Sequence, residues 1–158
     1  MVEFRVGIGV DAHALADGVP LVLGGVELAH PRGLAGHSDG DVIVHALIDA
    51  LLGAAGLGDI GSLFPADDQS LRGVSSLELL AQAYAQVATA GFELVNADCV
   101  LVGEEPRIAA HRDAMRRRLE ATIGSGEVNV RATTTDRLGY TGRGEGLAAH
   151  AVALLRRG

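Results

Sequence analysis

The sequence predicts a single α+β domain, residues 1–158, with a mixed β-sheet and helices packed on one face of it. Three observations carry this. The chain has 158 residues, the length of one ordinary domain, and 48% of them are hydrophobic, enough for a core. Alternating and helix-period segments are interspersed along it rather than grouped. A glycine-centred hairpin near the N-terminus adds antiparallel pairing to the strands.

Residues 4–11 alternate, with Val6, Ile8 and Val10 on one face, and read as the first strand. Residues 21–23 and 26–28 flank Gly24-Gly25 as a hairpin. Ser38, with Asp41 three residues on, reads as the cap of a helix running to about Ala55, followed by a loop to Pro65. Ser75 or Ser76 opens an amphipathic helix with Leu79, Leu80, Ala83, Tyr84 and Val87 on its apolar face, and Gly91 ends it. Residues 92–102 read as a strand, 107–123 as a helix, 128–134 as a strand and 135–143 as a loop. A last helix is expected to end near Arg156. No repeat, low-complexity tract or linker interrupts the pattern.

Composition removes several functions. The formal net charge is -7, without the basic balance of a nucleic-acid binder. All 13 basic residues are Arg, which excludes Schiff-base chemistry and a Walker A lysine. Aromatics are 3% with no Trp, too few for a stacking platform. No apolar run is long enough to span a membrane, the N-terminus does not have the order of a signal peptide, and Cys99 has no partner for a disulfide. The expected compartment is therefore the cytoplasm. An acidic chain of this kind binds an anion through metal ions or a few local donors.

Residues i and i+2 of a strand share a face, so Asp11 and His13 can reach one point. With His45 from the next helix they form a carboxylate and two imidazoles, a zinc set with its fourth position open. The plainer alternative is a strand-end Asp and two unrelated histidines. Asp41, His45 and Asp49 recur at i, i+4 and i+8, so either acid can orient His45 through its other ring nitrogen, unless the stripe is merely solvated. His37 and Ser38 precede a helix N-terminus, a setting suited to phosphate, where His37 can donate to a phosphoryl oxygen. Thr133, Thr134 and Thr135 offer hydroxyls at a strand end. Asp136 can hold a hard cation, and Arg143 in a glycine-rich turn can fork onto phosphate. The bland reading is β-prone threonines before a flexible loop. Residues 103–109, at another strand-to-helix junction, can read a nucleobase through backbone groups.

These stretches resemble the 2-C-methyl-D-erythritol 2,4-cyclodiphosphate synthase family of the non-mevalonate isoprenoid pathway. The resemblance is carried by the stretches at 9–13 (GVDAH), 36–42 (GHSDGDV), 45–53 (HALIDALLG), 58–61 with 63–65, and 132–146 (ATTT through TGRGEG). It implies a metal-dependent lyase. 4-Diphosphocytidyl-2-C-methyl-D-erythritol 2-phosphate is cyclised to the 2,4-cyclodiphosphate, and CMP is released. It implies a homotrimer with active sites between subunits, and the composition points to no nucleic-acid or membrane partner.

By position, the resemblance implies that Asp11, His13 and His45 hold Zn²⁺. Asp136 would hold a second cation, Mg²⁺ or Mn²⁺. His37 and Thr134 are the implied catalytic pair that positions and stabilises the transferring phosphoryl. Ser38, Asp59, Gly61, Phe64 and Asp68, with Thr133, Thr135, Tyr140 and Arg143, join Asp11, His13, His37 and Thr134 in binding substrate. Gly103, Pro106, Arg107, Ile108 and Ala109, with Ala132 and Thr133, form the implied cytidine pocket. Arg143 also matches the arginine at the mouth of an axial cavity where some relatives hold an isoprenoid diphosphate.

Three departures from the family pattern matter. Asp136 replaces Glu and is one methylene shorter, so it is expected to hold its cation through water. Residues 66–69 (ADDQ) replace Asp-Thr-Asp-Pro, keeping only the acid of Asp68. Val10 stands where some relatives carry an axial Phe, which weakens the expectation of isoprenoid binding. The chain leaves no room for the cytidylyltransferase domain, so a monofunctional form is expected. Two other readings stay open: a zinc-dependent phosphohydrolase of a nucleotide-linked substrate, and a non-catalytic trimeric module.

Overall fold

The computed structural model describes residues 1–158. In chain order the elements are β1 (Glu3–Asp17), β2 (Leu21–Leu23), β3 (Val26–Leu28), β4 (Arg32–Leu34), α1 (Val42–Ala55), the one-turn α2 (Ile60–Leu63) and α3 (Ser76–Thr89). Then follow β5 (Glu93–Val102), α4 (Arg112–Ile123), β6 (Glu127–Thr133), the one-turn α5 (Gly139–Gly142) and β7 (Gly146–Arg157). The fold is a mixed α+β arrangement. Five strands lie in the order β4-β1-β7-β5-β6, and β2 and β3 pair as a separate hairpin. Only β5 and β6 run parallel.

β1 is longer than its alternation predicts because it has two partners in succession. Residues 3–14 pair with β7 and 15–17 with β4. Asp11 and His13 therefore sit within the strand rather than at its end. β4 itself was too short to read from the sequence.

The expected C-terminal helix is instead the central strand β7, hydrogen-bonded to both β1 and β5. Its alanines and leucines favour a helix locally, but tertiary context overrides so weak a preference. The decisive pattern has period two. Ala149, Ala151, Ala153 and Leu155 are buried, while His150, Val152 and Arg156 alternate with them and are exposed.

The helices cover one face of the sheet. α1 lies across β1 and β7 and packs against α3, while α4 packs on β6. α1 is buried on nearly every side, which suits its continuous apolar composition. It approaches β1 where β1 has no side chains. A Cβ built on Gly9 would fall 1.8 Å from the Ala46 carbonyl oxygen, and one on Gly7 would fall 2.1 Å from that of Ala50.

The apolar side of the β1 alternation is not the side the helices cover. Gly7, Gly9, Asp11 and His13 face the helices, and the apolar set faces away. Phe4, Val6, Ile8 and Val10 are all more than half exposed. No helix is long and apolar enough to cross a membrane.

The α1 cap also differs from expectation. Asp41, not Ser38, is the cap residue, and its carboxylate accepts from the Val44 N–H at 3.1 Å. The same carboxylate accepts from the N–H groups of Gly24 at 2.9 Å and Gly25 at 2.7 Å, tying the hairpin turn to the helix start. Burial pushes the Asp41 carboxyl up to about 6, against the three N–H donors that favour its charge.

Replacing Asp41 by Ala removes a cap and strands two turn N–H groups, so at mildly acidic pH it is expected to cost about 3 kcal/mol in urea unfolding. The raised pKa makes this contribution largest below the ordinary value of 3.8, and it shrinks as pH rises through about 6. A loss under about 1 kcal/mol at every pH would contradict the assignment.

Candidate metal centre and flanking cavities

Two elements build the centre. β1 presents Asp11 and His13 on its helix-covered side, and α1 presents His45 one turn into the helix. His13 Nε2 lies 2.8 Å from Asp11 Oδ2, His45 Nδ1 lies 3.2 Å from the same oxygen, and the two ring nitrogens are 3.2 Å apart. A tetrahedral zinc site with bonds of roughly 2.0 Å has ligand–ligand edges of about 3.3 Å, so these donors fit one small cation. No other cluster of three such donors occurs.

The electrostatics favour a positive occupant. Burial opposes the charge of Asp11, but its hydrogen bonding with His13 and His45 and the charges of the two rings outweigh it and hold its carboxyl at about 2. The hydrogen bond to Asp11 raises His13 above the ordinary histidine value. Partial burial opposes this, and the Asp11 charge, the Ala35 backbone and Asp39 add to it.

The centre opens into a cavity of about 210 Å³ whose lining includes His37, Ser38, Gly61 and Phe64. His37 is exposed, with Nε2 3.2 Å from the Asp68 carbonyl oxygen. Ser38, displaced from the capping role, has its hydroxyl 3.0 Å from His45 Nε2. Asp59 caps α2 through the Ser62 N–H and does not line this cavity. The Asp68 carboxylate accepts from the Ser70 N–H and hydroxyl and borders a neighbouring hollow instead.

Neither acid of the α1 stripe orients His45. Asp41 faces the hairpin turn, and Asp49 accepts from the Ile60 N–H at 2.7 Å, fastening α2 to α1. The groups that meet His45 Nε2 are Ser38 and Ser76. The link from Ser76 and its partner Asp39 to His45 is not legible in the sequence. The available signal was a serine doublet, Ser75-Ser76, where one cap suffices.

The residues assigned to cytidine come together elsewhere. All of them line a cavity of about 400 Å³ between β6 and the segment after β5. Thr134, Arg107 and Glu104 continue into a second hollow of about 440 Å³ that Arg143 also borders. Neither hollow shares a lining residue with the metal-centre cavity. Asp136 and Arg137 both adopt positive φ, 52° and 67°. This uncommon backbone is held by the Asp136 N–H on the Thr134 hydroxyl and the Arg137 N–H on Glu104. Thr134 and Asp136 are therefore neighbours, but Asp136 is exposed and lines neither the triad cavity nor the cytidine cavity. Tyr140 is exposed on α5, and Arg143 is paired with Glu145 at 2.7 Å.

A cation at the triad needs His13 neutral, and Asp11 stabilises the charged ring. Zinc binding to metal-free protein is therefore expected to release protons and to weaken as pH falls, with a midpoint above the ordinary histidine value of 6.5. Calorimetry in buffers of different ionisation enthalpy measures this. Affinity that does not change across the neutral range would contradict it.

The chain is similar to known proteins along nearly its whole length. A 2-C-methyl-D-erythritol 2,4-cyclodiphosphate synthase from Moorella thermoacetica is 54% identical over 153 residues, covering 96% of this chain and 94% of its own. A solved synthase of that name in a CDP-bound form superposes with a TM-score of 0.87 at 38% identity, over 96% of this chain and 99% of that one. The bifunctional IspDF of Campylobacter jejuni superposes with a TM-score of 0.96 at 42% identity. It covers all of this chain, which spans 43% of that longer protein. The model of the YgbB family matches residues 4–156, and the chain belongs to that family.

Proposed function

We propose that this chain converts 4-diphosphocytidyl-2-C-methyl-D-erythritol 2-phosphate to 2-C-methyl-D-erythritol 2,4-cyclodiphosphate and CMP. The observation that carries the reading is the convergence of Asp11, His13 and His45 beside His37 and Ser38, in a family whose relatives bear that synthase's name. In the reaction an oxygen of the 2-phosphate bonds to the β-phosphorus. The bond from that phosphorus to the oxygen bridging to the α-phosphorus breaks, and the electron pair leaves with CMP. No water is consumed.

Two anions must approach in line, so orientation and positive field matter more than an acid–base pair. Zn²⁺ at the triad, with Mg²⁺ or Mn²⁺ near Asp136, supplies that field when bound. His37, exposed at the cavity mouth, donates to a phosphoryl oxygen. Ser38 and the α2 turn hold the methylerythritol phosphate, and the Thr134 hydroxyl positions the diphosphate.

The working unit in this reading is a homotrimer. The Phe4, Val6, Ile8 and Val10 face, continued by Val152 on β7, is an apolar sheet surface of the kind that self-association covers. The separation of the cytidine and triad cavities within one chain fits an active site completed by a neighbouring subunit. An isoprenoid diphosphate at the trimer axis would have to displace Glu145 from Arg143. The compartment we infer is the cytoplasm.

Incubation with the cytidylyl substrate, Zn²⁺ and Mg²⁺, followed by phosphorus NMR, is expected to give CMP and the cyclic diphosphate in equal amounts. Replacing His45 by Ala is expected to lower kcat/KM at least about 100-fold. An open-chain product would favour the phosphohydrolase, and binding without turnover would favour a non-catalytic module. Either would overturn the proposal.

A further inference from the structure

A chain of hydrogen bonds runs from the metal centre into the protein through residues the reaction does not touch. Asp39 is its far end. Its carboxylate accepts from the Ser76 N–H at 2.9 Å, from the Asp41 N–H at 3.0 Å and from the Ser76 hydroxyl. Ser76 is fully buried at the first position of α3, and its oxygen lies 2.9 Å from Nε2 of His45. The other ring nitrogen of His45 faces Asp11 and His13.

The direction of these bonds follows from what each group can do. A carboxylate only accepts, so the single Ser76 hydroxyl proton goes to Asp39. Ser76 then has only lone pairs for His45, so Nε2 must carry the proton that it donates. A neutral imidazole protonated at Nε2 has its free lone pair at Nδ1, the atom aimed at the centre. Ser38, also within reach of Nε2, has no carboxylate to take its hydroxyl proton, so it can donate or accept and does not decide the tautomer.

We propose that Ser76 is a positioning residue that passes the acceptor demand of Asp39 to His45 and so locks the tautomer and ring orientation that make Nδ1 a metal ligand. Because Asp39 follows His37-Ser38 and Ser76 opens α3, the relay also ties the segment before α1 and the α3 start to the ligand ring. This rests on the triad being a cation site, not on which reaction follows.

Two measurements test it. In wild-type protein without metal, at mildly alkaline pH, proton–nitrogen correlation NMR is expected to find His45 protonated at Nε2. A neutral ring bare at Nε2, with its only proton at Nδ1, would overturn the proposal without recourse to any variant. In Ser76→Ala, zinc affinity by competition titration is expected to fall about 10- to 100-fold, with the Nε2 preference lost and the circular dichroism spectrum unchanged. A Ser76→Ala protein that keeps both the tautomer and the affinity would overturn it as well. Failure of the wild type to bind zinc would instead remove the cation-site reading on which it rests.

Discussion

The contact on which the rest depends is the seating of the α1 backbone on the β1 backbone. Gly7 and Gly9 leave β1 bare where Ala46 and Ala50 cross it, and any Cβ there would strike a helix carbonyl. This close approach brings His45 to within 3.2 Å of Asp11 and His13. It also explains the small side chains of the neighbouring strand, since Ala149, Ala151 and Ala153 fill the remaining space beneath the helices. With the helix side of β1 given to glycine and the candidate metal ligands, the bulky apolar residues of that strand face the other way. The metal centre and the apolar outer face are thus two consequences of one alternation.

The chemistry of the site answers a problem set by composition. A chain with net charge -7 and no Lys must still gather phosphates. Its solution separates the duties. One half-buried carboxylate and two imidazoles converge where a cation could sit, while arginines border a separate hollow. Asp11 stays ionised beside the two histidines, so its carboxylate is available to a cation across the neutral range. A cation held there would reverse the local sign.

The Asp11–His13 pair was readable from the sequence because strand periodicity is local, and His45 because helix periodicity is. The GHSDGDV and TGRGEG stretches carried the family resemblance. β7 was misread because alanine and leucine carry a helical preference that only two flanking strands can override. The roles of Asp41 and Asp49 were misread for a related reason. Their i, i+4, i+8 spacing places them on α1 but says nothing of the hairpin turn and the α2 turn that claim them. Ser76 lies 31 residues from His45, and no periodicity links the two. Ligands declared themselves through spacing along one element, whereas the groups that orient them come from packing between elements.

The backbone contact of α1 with β1 brings the candidate cation ligands together. The most direct test compares zinc titration of Gly9→Ala with that of Gly53→Ala, a glycine of α1 whose added Cβ would come no nearer than 3.9 Å to Ile8. Gly53→Ala is expected to bind as the wild type does. Gly9→Ala is expected to lose at least about 10-fold in affinity, because the helix must lift and carry His45 away from its partners. A folded Gly9→Ala protein with undiminished zinc affinity would contradict the claim.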